Sequence, residues 1–200
     1  RHTRLRTVTG VQTCALPILL PRAAEAIGPI HCVVNSASLF EFDNAASFTM
    51  RTLDQHMHTN LMAPVLLAQA LHGSTPEGAQ SVVINLLDQK LFNPNPDFLS
   101  YTLSKAGLQS ATVLLAQALA PKVRVVGLAP GLTLVSGDQT EEGFAIAHQQ
   151  TPLGKSSTSD DIVAAACYLA NAAAVTGTVL VVDGGQHLMP AARGVMFLTK

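Results

Sequence analysis

The chain has 200 residues, enough for one ordinary domain, with 48% hydrophobic and only 12% charged residues. That composition excludes a disordered protein, and twelve Lys+Arg against thirteen Asp+Glu (net charge −1) leaves no basic excess for a nucleic-acid partner. The longest apolar runs break within about a dozen residues, too short for a membrane span, and three cysteines (Cys14, Cys32, Cys167) are too few for a disulfide framework, as expected of a cytoplasmic protein.

Residues 1–18 differ in kind from the rest of the chain. The string Val8-Thr-Gly-Val-Gln-Thr-Cys-Ala-Leu-Pro-Ile18 resembles the translation of a common sequencing adapter. Residues 1–18 are therefore set aside as a non-native segment. A native strand is the competing reading, because Val8-Thr9-Gly10 mimics the start of a nucleotide-binding strand. Against it, Gln12, Cys14 and Pro17 stand where a phosphate loop needs small residues and exposed N–H groups. A targeting peptide is the third reading, but no apolar stretch follows the arginines.

From Leu19 on, strands and helices alternate. Leu19–Ile27 reads as the tail of a helix stopped by Gly28-Pro29, and 30–35 as a short strand. Thr49 caps a long helix to about His72. Ser81–Leu86 is a buried strand, Ser100–Leu119 an Ala- and Leu-rich helix, and Val123–Leu128 a strand running into Ala129-Pro130-Gly131. Glu141–Gln150 is helical within a loop-like insertion. Ser159 and Asp160 cap a helix over Asp161–Asn171, and Val179–Val182 is the last strand, ending at Asp183-Gly184-Gly185. This alternation predicts an α/β fold, a Rossmann-like doubly wound parallel sheet. Ligands then sit at the carboxyl ends of the strands.

Four groups of residues carry candidate chemistry there. Tyr101 and Lys105 are four apart, on one helical face. An ammonium beside a phenol lowers the tyrosine pKa and makes it a usable acid; the bland alternative is a solvated lysine beside a half-buried tyrosine. Asp88 follows an apolar strand in Asn85-Leu-Leu-Asp88, thirteen residues before Tyr101. It either orients substrate and relays a proton or merely caps a turn. Asn35-Ser-Ala-Ser38 lets a cofactor approach the backbone, with Phe40 placed to stack on a flat ring; otherwise it is an ordinary turn with Phe40 in the core. Asn60 lies inside the long helix, where it needs a partner, such as a bound water at a bend, unless it is simply at the surface.

Taken in order, Asn35-Ser-Ala-Ser38, Asn60, Asp88, Tyr101-xxx-Lys105, Pro130-Gly131 and Asp183-Gly-Gly185 resemble the short-chain dehydrogenase/reductase superfamily over about residues 19–190. The resemblance implies Asn60, Asp88, Tyr101 and Lys105 as catalytic residues. Tyr101 is then the proton donor, Lys105 binds the nicotinamide ribose, and Asn60 holds a water of the proton relay. It implies cofactor contacts from Asn35, Ser36, Ala37, Ser38, Tyr101, Lys105, Pro130, Gly131, Leu132 and Thr133. Most members carry Ser where Asp88 stands. Asp there, with Pro130-Gly131-Leu132, resembles the pteridine reductase and dihydromonapterin reductase branch. That branch implies NADPH as cofactor and substrate contacts from Ser38, Phe40, Asp88 and Tyr101. It also implies a homodimer or homotetramer paired through helices 49–72 and 100–119.

The family opens with a strand and a Gly-rich turn, and the residues before Asn35 contain neither. Residues 19–200 are accordingly read as the C-terminal portion of one Rossmann-like domain lacking its first strands, roughly 60–70 residues in a fold of normal length. The leading expectation is a fragment of an NADPH-dependent reductase of a pterin or dihydrofolate-like ring. The alternatives are a carbonyl or 3-oxoacyl reductase, or a non-catalytic dimerisation module. No metal site is expected, because His56 and His58 point apart on a helix. Cys32 and Cys167 are expected as buried small hydrophobes. Residues 137–150 are expected to form the mobile substrate-side loop, and 193–200 to extend to a neighbouring subunit.

Overall fold

The computed structural model describes residues 16–135, 139–194 and 197. The adapter-like segment falls outside these residues up to position 15. The first helix, α1 (Leu16–Ile27), ends where the expected helix tail Leu19–Ile27 ends, and its first turn takes in residues 16–18 of the segment set aside. Then come β1 (Cys32–Asn35), α2 (Met50–Met57), α3 (Ala63–Ser74), β2 (Ser81–Leu86), α4 (Leu99–Ala118), β3 (Val123–Pro130), α5 (Glu141–Gln149), α6 (Ser159–Asn171) and β4 (Val179–Val182). The four strands are parallel, in the order β1-β2-β3-β4. Among the described residues, no helix is long and apolar enough to cross a membrane.

Side-chain alternation divides the core between the two faces of the sheet. Val33, Val83 and Val125 turn to Leu71 and Ala68 of α3, Ala116 of α4 and Leu20 of α1. Val82, Ile84, Val126 and Leu128 turn the other way, to Leu169 of α6. Helices on both faces make the sheet doubly wound. Arg124 anchors the second layer from below, donating from its guanidinium to the carbonyls of Leu169, Ala170 and Val175. These are the orphan carbonyls at and just beyond the end of α6.

Three local expectations are corrected. Cys32 and Cys167 are exposed, not buried. Cys32 sits on the outermost strand, on the α6 face; Val34, on that same face, is 47% exposed. The cap of α6 is Thr158, whose backbone is extended and which forms a capping box with Asp161; Ser159 already lies in the first turn. The long helix after Thr49 is not uniform either. It widens into a π turn over His58–Met62. Pro64 comes two residues after it and has no N–H for the carbonyl four residues earlier, that of Asn60. Such turns often mark functional positions, and Asn60 sits inside this one.

Leu71 is fully buried between α3 and the sheet. Leu71→Ala is expected to cost about 2–5 kcal/mol, read as a lowered urea midpoint.

Candidate active site

The loops at the carboxyl ends of the strands open on a cavity of about 310 Å³. Phe40, Asp88, Tyr101 and the stretch Pro130, Gly131, Leu132, Thr133 line it. The β3 turn reaches in because Gly131 has no side chain. A Cβ there would stand 2.7 Å from the Asp183 Cα and from Ser156 Oγ. Thr133 is held by its hydroxyl, 2.7 Å from that of Ser157. The Leu132 N–H donates to Gln186 Oε1 at 3.0 Å.

Asp88 divides its two oxygens between two tasks. Oδ1 accepts from the Lys90 N–H at 2.8 Å and starts the short 3-10 turn Gln89–Phe92. Oδ2 accepts the Tyr101 hydroxyl at 2.7 Å. The turn cap and the site carboxylate, alternatives in the sequence, are one residue here.

Tyr101 and Lys105 lie one turn apart in the first half of α4, and both are buried. Their electrostatics reverse the sequence expectation. Burial pushes the Tyr101 phenol well above its ordinary range, and the Asp88 carboxylate adds to the shift. Lys105 does not offset this. Its Nζ donates to the Leu86 carbonyl at 2.6 Å and stands 5.8 Å from the centre of the Tyr101 ring. Burial also lowers the Lys105 ammonium to about 8, with Asp88 opposing.

Asn60 is 1% exposed, so the surface reading fails. Its side chain bonds to protein groups on two sides. Oδ1 accepts from the Leu39 N–H at 2.7 Å and the Ser38 hydroxyl at 3.2 Å. Nδ2 donates to the Leu39 carbonyl and to Ser104 Oγ, and Ser104 in turn donates to the Tyr101 carbonyl. His56, also fully buried, accepts the Glu41 N–H at Nε2. The helix therefore holds the loop that carries Phe40.

Asn35 turns inward, donating to Asn85 Oδ1, and Asn85 donates to Thr112. Ser36 and Ala37 are exposed beyond it. Phe40 is 41% exposed and stacks on Phe98, with ring centres 4.3 Å apart and planes within 11°.

Phe98 was not foreseen from the sequence. It has φ +54°, a strained left-handed backbone for a non-glycine residue. It precedes α4 without offering a side-chain cap, and Asp43 supplies one instead, accepting the Ser100 N–H at 2.9 Å. Asp97, Gln186 and Arg193 were also missed. Asp97 accepts from Arg193 Nε and Nη2 and from the Gly194 N–H. These bonds hold its carboxyl below the usual range. The chain after Pro190 thus folds back on its own site, and Phe197 packs on Phe42 and Phe98. Residues 137, 138, 195, 196 and 198–200 of the segments singled out in the sequence lie outside the described residues.

The buried Lys105 predicts a pH effect on stability. In the unfolded chain its ammonium titrates near 10.5, in the folded chain near 8. Between those values the unfolded state binds more protons, so stability rises with pH. Tyr101, with its raised folded pKa, opposes this only above about pH 10. Lys105→Met is expected to flatten the rise between about pH 8 and 10, measured by urea unfolding at a series of pH values.

The family model described as enoyl-(acyl carrier protein) reductase matches residues 16–187. The chain is 29% identical over 189 residues to the 2-dehydro-3-deoxy-D-gluconate 5-dehydrogenase of Escherichia coli, covering 90% of this chain and 73% of that one. It is 31% identical over 169 residues to the 3-oxoacyl-[acyl-carrier-protein] reductase of Bos taurus, covering 81% and 68%. Among solved structures, FolM alternative dihydrofolate reductase 1 from Brucella canis, complexed with NADP, superposes with a TM-score of 0.85 at 38% identity, over 88% of this chain and 71% of that one. With a parallel doubly wound sheet, a Tyr-xxx-Lys pair one helical turn apart at its carboxyl edge, and a family match over most of its length, the chain belongs to the short-chain dehydrogenase/reductase superfamily of oxidoreductases.

Proposed function

We propose that the site reduces a C=N bond in a pterin or dihydrofolate-like ring with NADPH as the reductant. The observation that carries this reading is the Tyr101–Asp88 hydrogen bond beneath the Phe40–Phe98 stack. A flat heterocycle can lie against Phe40 while Asp88 meets a ring nitrogen. A ketone reductase gains more from a neutral hydroxyl donor at this position, because the charge it must stabilise is an oxyanion.

The residues present fit the nicotinamide half of the cofactor. Among the described residues, Lys105 uses its ammonium only on the Leu86 carbonyl, leaving N–H donors for a ribose hydroxyl. Gly131 keeps the β3 turn free of a side chain, and the backbone at Ser36–Ser38 is open at the end of β1. When bound, the dihydronicotinamide supplies hydride to the ring carbon. The chain supplies the proton to the ring nitrogen from the Asp88–Tyr101 pair. The pair acts as a unit: carrying one proton more, taken up from solvent, it gives a proton to the ring nitrogen and is left as the hydrogen-bonded Tyr101–Asp88 pair. NADP in the Brucella FolM structures supports the choice of cofactor.

The curated relatives favour a second reading, reduction of a carbonyl group by the same residues. A substrate panel separates the two. In the full-length protein, Tyr101→Phe is expected to abolish dihydropterin-dependent NADPH oxidation, followed at the nicotinamide absorbance; retained turnover overturns the role of Tyr101. Subunit pairing through α2–α3 and α4 is part of this proposal, supported by the exposed Met62, Leu103, Val113 and Leu114. Leu114→Lys is then expected to lower the mass seen by sedimentation.

A further inference from the structure

The reaction cavity carries more polar groups than the proton transfer uses, and most of them are already matched within the chain. Asp88 accepts from the Lys90 N–H and from Tyr101. The Lys90 ammonium donates to the Asp97 carbonyl, and Asn95 Oδ1 accepts the Asp97 N–H. Gln186 holds the Leu132 N–H, and the Thr133 hydroxyl is bonded to that of Ser157. Two lining carboxamides stand apart from this network, Gln89 in the turn after Asp88 and Gln139 just ahead of α5.

Gln139 Oε1, Gln139 Nε2 and Gln89 Oε1 are buried and have no hydrogen-bond partner among the described residues. Seven side-chain atoms there share that condition, and three of them belong to this one cavity. Buried orphans are rare in folded chains, and each calls for a ligand or a water. Here they amount to two acceptors and one donor. A carboxamide presents its donor and acceptor side by side, so it pairs at two points with a heterocycle edge that carries the complementary groups. A ketone in an acyl chain offers no donor and would leave both acceptors unmet. Ser38, which the family resemblance puts against the substrate, is not among the described lining residues, and its hydroxyl donates to Asn60 Oδ1.

We infer that Gln139 and Gln89 read the amino-lactam edge of the substrate ring and set the specificity for it. Gln139 accepts the lactam N–H and donates to the lactam C=O, while Gln89 Oε1 accepts the exocyclic amine. Two donors and one acceptor on that edge meet two acceptors and one donor on the chain. The edge belongs to the ring that is not reduced, so these residues bind and orient while Asp88 and Tyr101 deliver the proton. The inference rests on the pterin reading of the cavity.

The test edits ligand and protein in turn, in the full-length protein with NADPH. The ligands are 7,8-dihydropterin and its N3-methyl derivative, which lacks the lactam N–H. In the unmodified protein the methyl group is expected to raise KM about tenfold, the worth of a lost hydrogen bond. Gln139→Ala should raise KM for dihydropterin about tenfold at unchanged kcat, and should cut the methyl penalty to about twofold. Gln139→Glu keeps the shape but loses the donor, so its KM should be no lower than that of the alanine variant. Gln89→Leu should raise KM for dihydropterin about three- to tenfold at unchanged kcat. An unchanged KM in Gln139→Ala overturns the inference, as does a methyl penalty that survives in that variant or a KM rise confined to NADPH. Each of these leaves the pterin reading standing. If neither pterin is reduced while a 3-oxoacyl ester is, the pterin reading itself falls, and the assignment of Gln139 and Gln89 with it.

Discussion

One buried carboxamide, Asn60, holds two separate pieces of the site in register. It fastens the Leu39 backbone and the Ser38 hydroxyl, which places Phe40, and through Ser104 it reaches the turn of α4 that carries Tyr101. The bonds through Ser104 are buried, where an unmet partner is expensive, and those to the loop are partly so. The loop after β1 and the first turns of α4 therefore cannot shift independently. The π turn around Asn60 is the local cost of aiming that amide inward.

Electrostatics at the site follow from the same burial. The Tyr101 phenol and the Asp88 carboxylate line the cavity and touch, while the Lys105 ammonium stands 5.8 Å from the centre of the phenol ring. Burial works against the charged forms of both Tyr101 and Lys105 and moves their pKa values in opposite directions, each toward a wider range of its neutral state. Proton transfer from such an arrangement belongs to the group and not to a single residue. Lys105 positions charge next to the pair while its own donor is tied to the end of β2.

The outer wall depends on a second anchor, the Asp97 carboxylate. It binds Arg193 and the Gly194 N–H, 96 and 97 residues away in sequence. Next to it Phe98 takes a left-handed backbone, and its ring meets Phe40, Phe42 and Phe197. The strain at Phe98 persists because Asp43 and this aromatic cluster fix the start of α4 from outside the helix.

The alternation of strands and helices, the parallel sheet, the bounds of β2 and β4, and the gathering of Phe40, Asp88, Tyr101 and Pro130–Thr133 at one sheet edge were all legible in the residues alone. The elements follow from short-range periodicity and turn residues, and the grouping of the site residues from the resemblance to the short-chain reductases together with the rule that strand ends collect ligands. Three things waited on the packed chain. The direction of the Tyr101 shift depends on whether Lys105 reaches the phenol or the Leu86 carbonyl. The exposure of Cys32 and Cys167 depends on where α6 lies over the sheet. Asp43, Asp97, Phe98, Gln186 and Arg193 came to the site only on folding, since each acts on a partner distant in the chain and no local pattern marks such a pairing.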